Sequence, residues 1–84
     1  MAGKYTPLEH YLKAIPAQQD EITLTFEQVE RILNDKLPPS AYRHQAWWAN
    51  ENDGMHTNAH AWMNAGWMVE SFDQHRCIVR FRRG

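Results

Sequence analysis

The sequence predicts one small α+β domain, in which three or four helices pack on a three-stranded antiparallel sheet that ends in a C-terminal hairpin. Three observations lead there. The chain is 84 residues long, the size of a single domain with a thin core, and residues 1–84 are read as that one domain. Helix-start signals followed by apolar residues at helical spacing recur through the first two thirds. Strand-like alternation occupies residues 21–25 and most of 67–83.

The elements follow in order. Thr6-Pro7-Leu8-Glu9 reads as a helix start, with Thr6 as cap, Pro7 in the first turn and Glu9 completing a capping box. Leu8, Tyr11, Leu12 and Ile15 then share one face of a helix over 7–15, which Pro16 ends. Glu21-Ile22-Thr23-Leu24-Thr25 alternates and is rich in β-branched residues, so it reads as a strand with Ile22 and Leu24 inward. Thr25 and Gln28 form a second capping box, opening a helix over 26–34 that buries Phe26, Val29, Ile32 and Leu33 and closes at Asn34-Asp35. Leu37-Pro38-Pro39-Ser40 is a rigid turn, and Ser40 is expected to cap a third helix over 41–49. Residues 50–54 form a polar loop. A fourth helix over 57–65, capped by Thr57 or Asn58, buries Ala61, Trp62 and Ala65 and stops at Gly66. Two strands, 67–72 and 77–83, close the chain around a loop at 73–76. Cys77, Val79 and Phe81 are expected on one face of the last strand, and Ile78, Arg80 and Arg82 on the other.

Apart from one extra helix, this order is that of a winged helix-turn-helix, with 21–25 as the short strand, 67–83 as the wing, and the second and third helices as the helix-turn-helix. The chain also resembles a family of small, largely uncharacterised domains in bacterial and phage proteins. The residues that carry the resemblance are Lys4-Tyr5-Thr6-Pro7-Leu8, Leu24-Thr25-Phe26 leading into Val29-Glu30-Arg31-Ile32-Leu33, Leu37-Pro38-Pro39-Ser40-Ala41, Trp47-Trp48-Ala49-Asn50, Ala61-Trp62-Met63-Asn64-Ala65-Gly66-Trp67, and Val79-Arg80-Phe81. It implies a recognition module, used in phage–host defence or counter-defence, rather than a catalyst.

Composition narrows the function classes. The formal net charge is −1, which argues against a strongly acidic DNA mimic and against a polybasic membrane anchor. The balance conceals an asymmetry: residues 74–84 hold Arg76, Arg80, Arg82 and Arg83 and no acid, while acids outnumber bases before them. The one cysteine, Cys77, admits no internal disulfide, and no apolar run is long enough to span a membrane. A cytoplasmic protein without membrane contact is expected. Scattered acids, no glycine-rich phosphate loop and no room for a deep cleft point away from an enzyme, so no catalytic residue and no cofactor is assigned. His56 and His60, four apart, suggest metal binding, but zinc needs a third and fourth ligand that the spacing does not supply, so no metal site is assigned. Cys77 has no neighbouring base to activate it.

The expected function is non-catalytic binding of nucleic acid, DNA above all, through the third helix and the arginine-rich wing. Tyr42, Arg43, His44 and Gln45 run into Trp47-Trp48 and Asn50, and Arg, Gln and Asn are the side chains that read base edges. One of the paired tryptophans, Trp48 in the first instance, would stack on an exposed or modified base beside Asn50. Arg76, Arg80 and Arg82 would grip phosphate from the wing. The same arginines could instead pair with Glu27, Glu30 or Glu70 within the fold. The alternative is a small protein-interaction module or inhibitor with exposed aromatic and arginine residues as its hot spot. The sequence is silent on oligomeric state.

Overall fold

The computed structural model describes residues 3–51 and 57–84. The chain runs as α1 (Thr6–Lys13), β1 (Glu21–Thr25), α2 (Phe26–Leu33), α3 (Pro39–Arg43), a 3₁₀ turn (Gln45–Trp48), α4 (Thr57–Asn64), β2 (Trp67–Asp73) and β3 (Ile78–Arg83). The three strands form one antiparallel sheet in the order β1-β3-β2. The predicted α+β architecture with its C-terminal hairpin is what forms.

The core lies between the helices and one face of the sheet. Alternation turns Leu24, Val79, Phe81, Trp67 and Val69 inward, where they meet Leu8 and Leu12 of α1, Phe26, Val29 and Leu33 of α2, and Ala59, Ala61 and Trp62 of α4. The other face stays open, with Glu21, Thr23 and Thr25 on β1, Arg80 and Arg82 on β3, and Met68, Glu70 and Ser71 on β2 all exposed. The β2–β3 register shifts between Val69 and Ser71, so Glu70 is the extra residue of a bulge.

Aromatic rings fill the middle of the core. Trp48 is 1% exposed and lies nearly parallel between Phe26 (ring centroids 4.9 Å) and Trp62 (5.8 Å). Trp62 continues to Phe81 of the sheet at 5.7 Å. Trp47 meets Trp48 edge-on at 4.6 Å and is half-buried at the margin, against Tyr5. Rings in such offset and edge-on arrangements each bury about 150–250 Å2 and gain roughly 0.5–1.5 kcal/mol per pair beyond area burial.

The second capping box forms as predicted: Gln28 N–H donates to Thr25 Oγ1 (3.0 Å), and Thr25 N–H donates to Gln28 Oε1 (2.8 Å). Asn34 closes α2 in the left-handed region (φ 55°). Gly66, at φ +86°, makes the reversal after α4 that a side chain would disfavour.

Four local expectations are corrected. Tyr5, not Thr6, precedes α1; Thr6 is its first helical residue and makes no cap bond, and Glu9 accepts from Lys13 (2.8 Å) instead of closing a box. The helix over 41–49 is broken. Pro38 is extended and Pro39 opens α3, so Ser40 falls inside the first turn and caps nothing. His44 then takes an extended conformation (φ −117°, ψ 119°), and a 3₁₀ turn begins after it. Asn58 lies within α4 rather than before it; it is buried, and its Nδ2 donates to the Trp47 carbonyl (2.6 Å). Cys77 belongs to the hairpin turn, half-buried at φ +57°, and not to the inward row of β3. Of the loop expected at 50–54, residues 52–54 lie outside the described residues, as does His56.

Candidate functional site

The break at His44 has a geometric consequence. With α3 ending at Arg43, the Ala41 carbonyl is freed from helix bonding and accepts two side chains, Trp48 Nε1 at 2.9 Å and Gln74 Nε2 at 3.0 Å. The first anchors the 3₁₀ turn, and the second ties α3 to the turn between β2 and β3. Two segments far apart in sequence are thereby linked at one point. One carries Arg43, His44 and Gln45, the other His75 and Arg76, and all five are exposed. Asp73 shapes the second segment: its Oδ1 accepts the backbone N–H groups of His75 and Arg76, both at 3.0 Å.

Tyr42 sits behind this surface rather than on it. Its ring packs edge-on against Phe26 (5.2 Å), and its hydroxyl donates to Glu30 Oε2 at 2.9 Å. Burial, and then the hydrogen bond to the Glu30 carboxylate, push its pKa up to about 12. The same Glu30 oxygen accepts the Leu37 backbone N–H (2.9 Å) and so fixes the α2–α3 connection.

Trp48 and Asn50 are likewise committed inward, which removes them from the expected contact surface. Trp48 is core. The Asn50 side chain bonds the edge of β2 as a strand residue would: Nδ2 donates to the Val69 carbonyl (2.9 Å), and Oδ1 accepts the Val69 N–H (2.8 Å). Oδ1 also accepts Trp62 Nε1 (2.9 Å). A stacking pocket for a modified base built from Trp48 and Asn50 is therefore not formed.

The wing arginines divide. Arg82 donates to Glu21 (2.6 Å) and Glu70 (3.0 Å) across the open sheet face, so its charge is matched twice. The hydrogen bond to Glu70 is the largest of the effects that raise its pKa above the ordinary value. Arg83 lies over the Trp67 ring at 4.4 Å and donates to the carbonyls of Ile15, Pro16 and Gln19, the nearest at 3.0 Å; it staples the α1–β1 connection. Arg76 has a loose ion pair with Asp73, at 3.8 Å. Among the described residues, Lys36, Arg43 and Arg80 are the lysine and arginine side chains with no ion-pair or hydrogen-bond partner.

Of the residues expected at the contact surface, Arg43, His44, Gln45 and Arg76 are exposed in the two segments that the Ala41 carbonyl links, and Arg80 is exposed on the sheet. The sequence does not announce Gln74, whose bond makes the link, or His75 beside it. Nor does it announce Thr23 and Ser71, which flank Arg80 across the sheet. Strand alternation puts Thr23 on the outer face; only the register puts it opposite Arg80. Among the described residues, no group of three His, Cys, Asp or Glu side chains is placed to hold a metal ion, and no helix is long and apolar enough to cross a membrane.

No curated protein and no solved structure matches the chain. A family model does, over residues 5–84, which is nearly the whole sequence. The chain belongs to the family described as Domain of unknown function (DUF7662).

Proposed function

We propose that this domain is a non-catalytic nucleic-acid-binding module whose contact surface is the junction of α3 with the β2–β3 turn. The observation that carries the reading is the Gln74 hydrogen bond to the Ala41 carbonyl, which links the segment of exposed Arg43, His44 and Gln45 to the turn of exposed His75 and Arg76. Arginine and glutamine bond phosphate and base edges, and exposed imidazoles donate to phosphate. The element order and the β1-β3-β2 sheet support a winged-helix-like presentation. With five residues, α3 is too short to lie along a groove as a recognition helix, so contact falls to its C-terminal end and the turn.

The test is a titration of duplex DNA at low salt. Wild-type protein binds with an affinity that falls steeply as salt rises. Arg43→Ala and Arg76→Ala each weaken binding by roughly tenfold, the scale of one charge-assisted contact. Absence of binding by the wild-type protein to any duplex overturns the reading.

A second reading, a protein-interaction module, is favoured by one observation. Met68 is 45% exposed and lines an apolar depression of about 230 Å3 with Met63, Gly66, Trp67 and Gly84. It predicts a complex that survives nuclease treatment and is lost in Met68→Asp, with DNA titration blank.

A further inference from the structure

On the open face of the sheet every described charged side chain but one has a partner, and because Arg82 answers two carboxylates the face without Arg80 carries one acid in excess. Glu21 and Glu70 are held by Arg82. Asp73 accepts two backbone N–H groups of the turn and faces Arg76. Arg80 alone on this face has no ion-pair or hydrogen-bond partner among the described residues. It is the middle member of a row across the three strands, with Thr23 of β1 opposite it on one side and Ser71 of β2 on the other. Directly opposed residues have Cβ atoms about 4.5–5.5 Å apart, so two hydroxyl side chains flank the stem of the Arg80 side chain. All three residues are exposed.

The same residues line a shallow depression of about 110 Å3, completed by Phe72, Asp73 and Ile78. That is well below the roughly 300 Å3 at which small-molecule sites begin. An unpaired guanidinium and two hydroxyl side chains lining one depression suit a phosphate group, which accepts bidentate hydrogen bonds from arginine, and the space suits one phosphate and not a whole metabolite. Asp73 and Ile78 are the last pair before the turn that carries Arg76, so the depression ends where that turn begins.

We propose that Thr23, Arg80 and Ser71 form a phosphate subsite on the open sheet face that holds the backbone of a DNA duplex. The inference rests on the nucleic-acid reading above and extends it from the turn to the sheet. Duplex rather than single-stranded DNA is specified because binders of single strands offer aromatic platforms for successive bases. Here the described tryptophans are buried or half-buried, and the aromatic residue that lines the depression, Phe72, is half-buried and pairs with Val79 of the inward row rather than standing on the open face. The subsite therefore reads phosphate without regard to sequence.

The experiment measures the affinity of two short duplexes of unrelated sequence between about 50 and 200 mM salt. Both bind wild-type protein alike. Arg80→Ala weakens both by roughly tenfold and lowers the slope of log K against log salt by about 0.9, the value for one lost phosphate contact. The Thr23→Val/Ser71→Ala variant weakens both with the slope unchanged, because the lost donors are neutral. Wild-type slope and affinity in Arg80→Ala overturn the subsite and leave the nucleic-acid reading standing. Failure of wild-type protein to bind either duplex overturns both.

Discussion

At the scale of single residues, Asn50 does the work of several. An asparagine amide suits the reading of base edges, and this one does read a donor and an acceptor, but those of Val69 within its own chain. Asn50→Ala leaves the Trp62 indole N–H and both Val69 backbone groups without these partners. Each buried group left unsatisfied costs about 1–3 kcal/mol; we expect a loss of roughly 3 kcal/mol in all, read as a lower denaturant midpoint at unchanged m. Tyr42 gives a pH signature. Its folded pKa of about 12 lies above the ordinary tyrosine value near 10, so the folded state holds the proton that the unfolded state releases. Its contribution is whole below about pH 10 and is lost as pH rises towards 12. Melting temperatures taken from pH 9 to 12 should fall in the wild type and fall less in Tyr42→Phe.

At the scale of elements, local rules succeed where the chain solves its problem locally and fail where distant segments decide. The Thr25–Gln28 box is spelled out within four residues, and it forms; Thr25→Ala should cost about 1 kcal/mol in chemical denaturation. The Thr6–Glu9 box has the same spelling but loses to a different start, one residue earlier, and to the Lys13 ammonium one turn on. The single helix expected over 41–49 cannot form because its ring positions answer to Phe26 and Trp62, which no local pattern near residue 47 announces. Breaking the helix at His44 lets both adjacent tryptophans reach the cluster, Trp48 at its centre and Trp47 at its rim. We expect Trp48→Ala to cost about 3–5 kcal/mol, as other large aromatic truncations do, and Trp47→Ala markedly less. The candidate site was legible to the same degree. Arg43, His44, Gln45 and Arg76 could be named from residue type, but the Gln74 bond that joins them and the register that sets Arg80 between two hydroxyls are tertiary facts. Arg82 and Arg83 carried the same charge in the sequence and turned out to serve the fold.

At the scale of the whole molecule, one aromatic column links α2, the 3₁₀ turn, α4 and β3. Its rings contact each other in series, so no element can leave without stripping its neighbours. Unfolding followed by tryptophan fluorescence and by far-ultraviolet circular dichroism should therefore trace coincident two-state curves; separate midpoints would show that the sheet and the helices come apart independently. The radius of gyration, 11.7 Å, is about that of a well-packed chain of this length. The amide of Asn50 has a meaning at this scale too. A sheet of three strands has two rims where more strands could add, and such rims invite chains to join one another. On β2 the Asn50 amide occupies the hydrogen-bonding positions at Val69. On β1, Gln19 Nε2 donates to the Glu21 carbonyl (3.0 Å) and Gln28 Oε1 accepts the Thr25 N–H (2.8 Å). Three carboxamides thus act as counterfeit strands that occupy part of each rim and leave fewer places for another strand to add.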